Sequence, residues 1–123
     1  MSFEALGLAP DLIRSALALG HSAPTPIQQQ AVPVALAGTD LLATAPTGSG
    51  KTLAYALPLL QRLLQTPGSP RRTRALVLVP TRELAAQVGE VLRALAQPLQ
   101  GGLKICVLFG GVSINPQLMG LRG

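Results

Sequence analysis

The chain has 123 residues, 48% of them apolar, enough to bury a real core and too apolar for a disordered segment. Lys and Arg total 10 against 5 Asp and Glu, a balance that suits an anionic partner, and the single cysteine, Cys106, excludes an internal disulfide and a thiolate metal cluster. No apolar run is long enough to cross a bilayer, and the N-terminus carries acids without a basic leader, so a reduced, cytoplasmic setting with no membrane partner is predicted.

Short apolar runs alternate with longer helical patterns along the chain. Helices are predicted over 10–19, 26–37, 51–65 and 82–97. Thr25 before Pro26 reads as an N-cap followed by proline at the first helical position, and Pro33 is expected to kink or divide that helix. Strands are predicted at "DLLATA" (40–45), "ALVLV" (75–79) and "KICVLF" (104–109), each apolar enough to be buried on both faces. "TPGSP" (66–70) reads as a surface loop, and the cluster Arg71, Arg72 and Arg74 after it as solvated. Strands alternating with helices predict an α/β fold, a parallel sheet flanked by helices, in one unit over 1–123. Two Phe, one Tyr and no Trp leave few stacking platforms for nucleic-acid bases.

The stretch "APTGSGKT" (Ala45, Pro46, Thr47, Gly48, Ser49, Gly50, Lys51, Thr52) carries the sharpest chemistry. It departs from the phosphate-loop pattern G-x-x-x-x-G-K-[ST] only at Ala45. A predicted strand ends there and a predicted helix starts near Lys51, which aims the backbone N–H groups of 48–52 and the helix's positive end at one point. Lys51 is then placed to reach the β- and γ-phosphates, and the Thr52 hydroxyl to meet Mg²⁺. Such a loop serves kinases, GTPases, transporters and helicases alike.

Flanking segments choose among them. "GHSAPTPIQ" (20–28), "APTGSGKT" (45–52) and "PTRELAAQ" (80–87) resemble, in order and spacing, the Q motif, motif I and motif Ia of DEAD-box ATP-dependent RNA helicases. Phe3 upstream and the pair Gly110–Gly111 fit the same pattern, and "MSFEALGL" with "FGGVSINPQ" looks like the bacterial RhlE-type subgroup. The resemblance covers essentially the whole chain and accounts for Ala45, since this superfamily commonly begins its loop with alanine.

The resemblance implies the N-terminal part of a RecA-like domain, with a Q-motif region over 1–28 and the phosphate loop, motif Ia and glycine pair over 29–123. It implies ATP with Mg²⁺ as ligands and RNA as partner. Gln28 would read adenine, its amide pairing a donor and an acceptor with N7 and N6 and disfavouring guanine. Phe3 would stack on the base, Thr25 would brace the loop, and His21 stands where the family usually has Phe or Tyr. Pro80, Thr81, Arg82, Gly110 and Gly111 would meet the RNA backbone, giving affinity without sequence reading. The Asp-Glu-Ala-Asp motif and a second RecA-like domain, which the family needs for hydrolysis and unwinding, do not occur within these residues, so the chain reads as an N-terminal piece whose hydrolysis depends on parts outside it. The competing readings are a non-catalytic adenine-nucleotide module and an unrelated P-loop kinase or transferase.

Overall fold

The computed structural model describes residues 1–66, 72–99, 102–111 and 114–121. A short 3-10 turn at Glu4–Leu6 leads into α1 (Pro10–Ala18), α2 (Pro26–Leu36), α3 (Lys51–Gln65), α4 (Arg82–Ala96) and α5 (Ile114–Gly120). The four long helices start and stop within one residue of the predicted bounds, whereas α5 and the 3-10 turn are new. Most of "TPGSP", and Arg71, lie outside the described residues. Among those residues, no helix is long and apolar enough to cross a membrane.

Helical periodicity builds the core. On α3 the buried residues Leu53, Ala56, Leu57 and Leu60 recur at the spacing of one helix face. They meet Leu12, Ile13 and Ala16 of α1, Val32 of α2, and Val88, Leu92 and Leu95 of α4. The N-terminal turn adds Phe3, Leu6 and Leu8 to the same cluster. Its path is fixed by Gln61, a buried amide on α3 that accepts from Ala9 N–H at 2.6 Å and donates to the Gly7 carbonyl at 2.8 Å. Burial is tolerable for that amide because both of its ends are bonded.

Pro33 does not divide α2. The helix runs through it, and its ring sits on the exposed side, where loss of one N–H leaves no buried acceptor wanting. Arg74 donates to the carbonyl of Thr66, which follows the last residue of α3, so this member of the arginine cluster serves a helix end.

The three apolar runs depart most from expectation. Among the described residues none is joined to another by a hydrogen-bonded ladder. Burial alternates instead in the second run and, apart from half-buried Cys106, in the third. Ala75, Val77 and Val79 are half-buried, while Leu76 and Leu78 are 77% and 83% exposed. Leu103, Ile105, Val107 and Phe109 are half-buried between exposed Lys104 and Leu108. Val77, Val79, Leu103 and Ile105 pack against the helical core. A period of two with one packed face is the burial pattern of a strand covered on one side. Burial on both faces was the wrong expectation, because the helices cover a single face. In the first run, Leu42 is 96% exposed and neither face reaches the core. Cys106 is half-buried, with its thiol donating to the Gly120 carbonyl of α5 at 3.0 Å.

α4 approaches the third run closely at Gly89, where an added Cβ would lie 2.3 Å from Val107 Cγ2. Gly89→Ala would gain about 1 kcal/mol of helix propensity. The overlap falls on a β-branched side chain with little freedom to turn away, and forced overpacking costs about 1–3 kcal/mol. Gly89→Ala is therefore expected to lower stability in chemical denaturation, and adding Val107→Ala to relieve the overlap. A Gly89→Ala protein more stable than the parent would refute this contact.

Candidate nucleotide and nucleic-acid sites

The phosphate loop forms where α3 begins. Gly50 is the N-cap residue, held in the left-handed region at φ 87° and offering no side chain to cap the helix. The N–H groups of Lys51, Thr52 and Leu53 belong to the first turn, whose donors have no partner within the helix. An uncapped N-terminus also carries the positive end of the helix dipole, so it attracts an anion. Lys51 is exposed there and Thr52 is half-buried. Ahead of them, Ser49 N–H donates to the Pro46 carbonyl at 3.2 Å, which folds 46–49 into a turn.

α2 starts against this loop. Thr25, in extended conformation, is the N-cap residue of α2, and Gln28 stands at the third position of the helix in a capping-box arrangement. The firm half of that arrangement is the Thr25 N–H, donating to Gln28 Oε1 at 3.0 Å. Gln28 Nε2 donates in turn to the Gly50 carbonyl at 3.1 Å. The side chain is only 1% exposed. A Cβ on Gly50 would lie 2.5 Å from Gln28 Nε2 and 3.0 Å from Thr25 Oγ1, so glycine is demanded by contact as well as by dihedral. Thr25 Oγ1 and Ser49 Oγ are buried without a hydrogen-bond partner, two orphaned hydroxyls at one loop. Gln29 is occupied locally, donating to the Pro24 carbonyl at 3.1 Å.

The structure thus brings Thr25, Gln28 and the loop together and leaves Phe3 out. Phe3 is 2% exposed in the hydrophobic core, with no ring face open to a base, because the packing of the N-terminal turn consumes it. His21 is half-buried, and its backbone N–H donates to the Ala16 carbonyl at 3.1 Å at the end of α1.

A second constellation lies where the other two runs end. Pro80 and Thr81 follow the run at 75–79, and the Thr81 hydroxyl accepts from Leu84 N–H at 3.1 Å to cap α4. Arg82, the first residue of α4, is exposed and carries no ion pair among the described residues. Gly110 and Gly111 follow the run at 104–109, and Gly111 has φ 77°. A Cβ there would sit 3.2 Å from Arg82 Nη1, so the glycine gives room to the guanidinium. Helix end, arginine and glycine pair form one basic, open corner. Behind it, Gln117 of α5 accepts from Phe109 N–H at 2.7 Å, a support that no periodic pattern announced.

The comparisons agree with this geometry. Residues 25–123 match the model of the DEAD/DEAH box helicase family. A probable ATP-dependent RNA helicase from Homo sapiens, DDX27, is 45% identical over 122 residues, which are 99% of this chain and 16% of that protein. The crystal structure of the RNA helicase Prp28 from Chaetomium thermophilum, bound to ADP, superposes with a TM-score of 0.86 at 39% identity, over 98% of this chain and 29% of that one. Dbp5 of S. cerevisiae, bound to RNA and ADP BeF3, gives a TM-score of 0.71 at 36% identity over 80% of this chain and 25% of its own. With its phosphate loop, its Gln28 brace and a family match over 25–123, this chain belongs to the DEAD/DEAH box helicase family.

Proposed function

We propose that this chain supplies the ATP-binding loop and part of the RNA-binding surface of the first RecA-like domain of an ATP-dependent RNA helicase. The observation that carries this reading is the uncapped N-terminus of α3, with exposed Lys51 at its mouth and Gln28 against Gly50. The bound ADP of the Prp28 structure and the RNA and ADP BeF3 of the Dbp5 complex support the same ligands here.

The residues divide the work by their chemistry. N–H groups of the first turn and the Lys51 ammonium hold phosphate oxygens. Thr52 contributes one hydroxyl toward Mg²⁺, and among the described residues no three His, Cys, Asp or Glu side chains cluster. That donor set fits an ion held chiefly by phosphate oxygens and water. Gln28 reads adenine with the amide hydrogen and lone pair that its two internal bonds leave over. Arg82, the start of α4 and the Gly110–Gly111 backbone hold RNA phosphates irrespective of sequence. The alternating runs support a parallel sheet with one face covered by these helices. "MSFEALGL" and "FGGVSINPQ" support a RhlE-type placement within the family, while the human relative belongs to a eukaryotic line. A cytoplasmic setting completes the proposal.

Calorimetric titration tests the nucleotide site. Lys51→Ala is expected to weaken ATP binding ~10-fold or more, the scale of a lost charge-assisted contact. Gln28→Ala is expected to reduce the preference for ATP over GTP by about 10-fold, within the range of a bidentate base contact. Equal affinity of the unaltered protein for both nucleotides would contradict the adenine assignment. Arg82→Gln should weaken RNA binding alike for all sequences and lower the salt slope by about 0.7 for a single strand; an unchanged slope would remove Arg82 from the RNA surface.

A further inference from the structure

The corner at Arg82 is assembled from two segments, the start of α4 and the turn at Gly110–Gly111. Arg82 stands on a helix whose first turn is capped by Thr81, so its backbone is held. The glycine pair is freer. Gly111 stands at φ 77°, and among the described residues no backbone hydrogen bond holds either glycine. The last tie before them runs from Phe109 N–H to Gln117 Oε1, at 2.7 Å. A second tie, from the Cys106 thiol to the Gly120 carbonyl at 3.0 Å, lays α5 along the same run. No described residue of α5 belongs to the hydrophobic cluster, and Leu118 and Met119 are exposed, so α5 meets the run through hydrogen bonds more than through apolar burial. A trans peptide is planar, so the Gln117 bond sets the plane of the Leu108–Phe109 peptide. Only rotations about Phe109 and Gly110 then separate that fixed plane from Gly111, where a Cβ would lie 3.2 Å from Arg82 Nη1.

We infer that Gln117 is a positioning residue of the RNA corner, which anchors the end of the run from which the glycine turn seats the Arg82 guanidinium. The inference rests on the reading of that corner as an RNA surface and extends it: a side chain of α5 sets RNA affinity without needing to touch RNA.

Gln117→Met keeps a neutral side chain of similar length and removes the acceptor oxygen. It should speed exchange of the Phe109 amide hydrogen and weaken binding of single-stranded polyuridylate about 3- to 10-fold, the scale of one hydrogen bond, while ATP affinity stays unchanged. Because the effect passes through Arg82, adding Gln117→Met to Arg82→Gln should cost less than about two-fold further. Full additivity of the two losses would overturn the inference and spare the corner. So would polyuridylate affinity within about two-fold of the parent, a change smaller than one hydrogen bond confers. Failure of the unaltered protein to bind polyuridylate would overturn both. A measurement on the unaltered protein does not depend on the variant folding. Linkage is reciprocal, so polyuridylate should in turn slow exchange of the Phe109 amide, and equal exchange with and without it would overturn the inference.

Discussion

Much of this molecule depends on leaving one helix end bare. α3 packs on α2 and α4 and gives Leu53, Ala56, Leu57 and Leu60 to the cluster that these helices share with α1. Its N-terminus leaves the backbone donors of the first turn without a side-chain cap. A Ser, Thr or Asp cap is closed to position 50, where a Cβ would lie 2.5 Å from Gln28 Nε2. The chain has Gly50 instead, and stabilises the junction from outside with Gln28. The donors of the first turn stay available while the carbonyl before them is held. A packed helix and an external brace therefore give the loop rigidity without using up what it needs for an anion.

The second corner follows the same logic with a different solution. α4 is capped by Thr81, whose hydroxyl takes the Leu84 N–H, so that helix end keeps fewer free donors than α3. What it has in addition is Arg82, lodged against Gly111. A guanidinium is a charge on a long arm, suited to a polymer phosphate whose position varies, whereas a bare helix end suits a phosphate held at one place. The difference in capping parallels the difference between the two proposed ligands.

How much was legible in the sequence varies with the range of the interaction. Helix bounds were, because caps and periodicity are local: Thr25–Pro26, Thr81 and the apolar spacing of 53–60 all act within a few residues. The turn before α3 and the start of that helix were legible for the same reason. Phe3 was misjudged because a motif position says that a ring belongs there without saying which way it faces, and here the packing of the N-terminal turn claims it. The three runs were read correctly as apolar and wrongly as buried on both faces, since composition does not reveal how many faces are covered. Gln61 and Gly89 owe their places to partners more than fifty and almost twenty residues away, Gly7 and Ala9 for one and Val107 for the other. The Gln28–Gly50 bond spans 22 residues. Its nearer half was within reach: Thr25-x-x-Gln28 has capping-box spacing, a sign that the glutamine had a structural tie before any base was considered.

That tie bears on how a glutamine can discriminate bases at all. Adenine presents one acceptor, N7, beside one donor, N6, so an amide matches it in one orientation only. In Gln28 the two ends are already distinguished, Oε1 by a backbone donor and Nε2 by a backbone acceptor. Turning the amide over would set Nε2 against the Thr25 N–H and Oε1 against the Gly50 carbonyl, two repulsive contacts in a site that water hardly reaches. The same bonds that steady the phosphate loop thus fix which edge of the amide is the donor, and a base meeting it encounters a reader with one polarity. Under the proposed adenine reading, base choice and order in the loop have a common physical source, the two backbone partners of a single side chain.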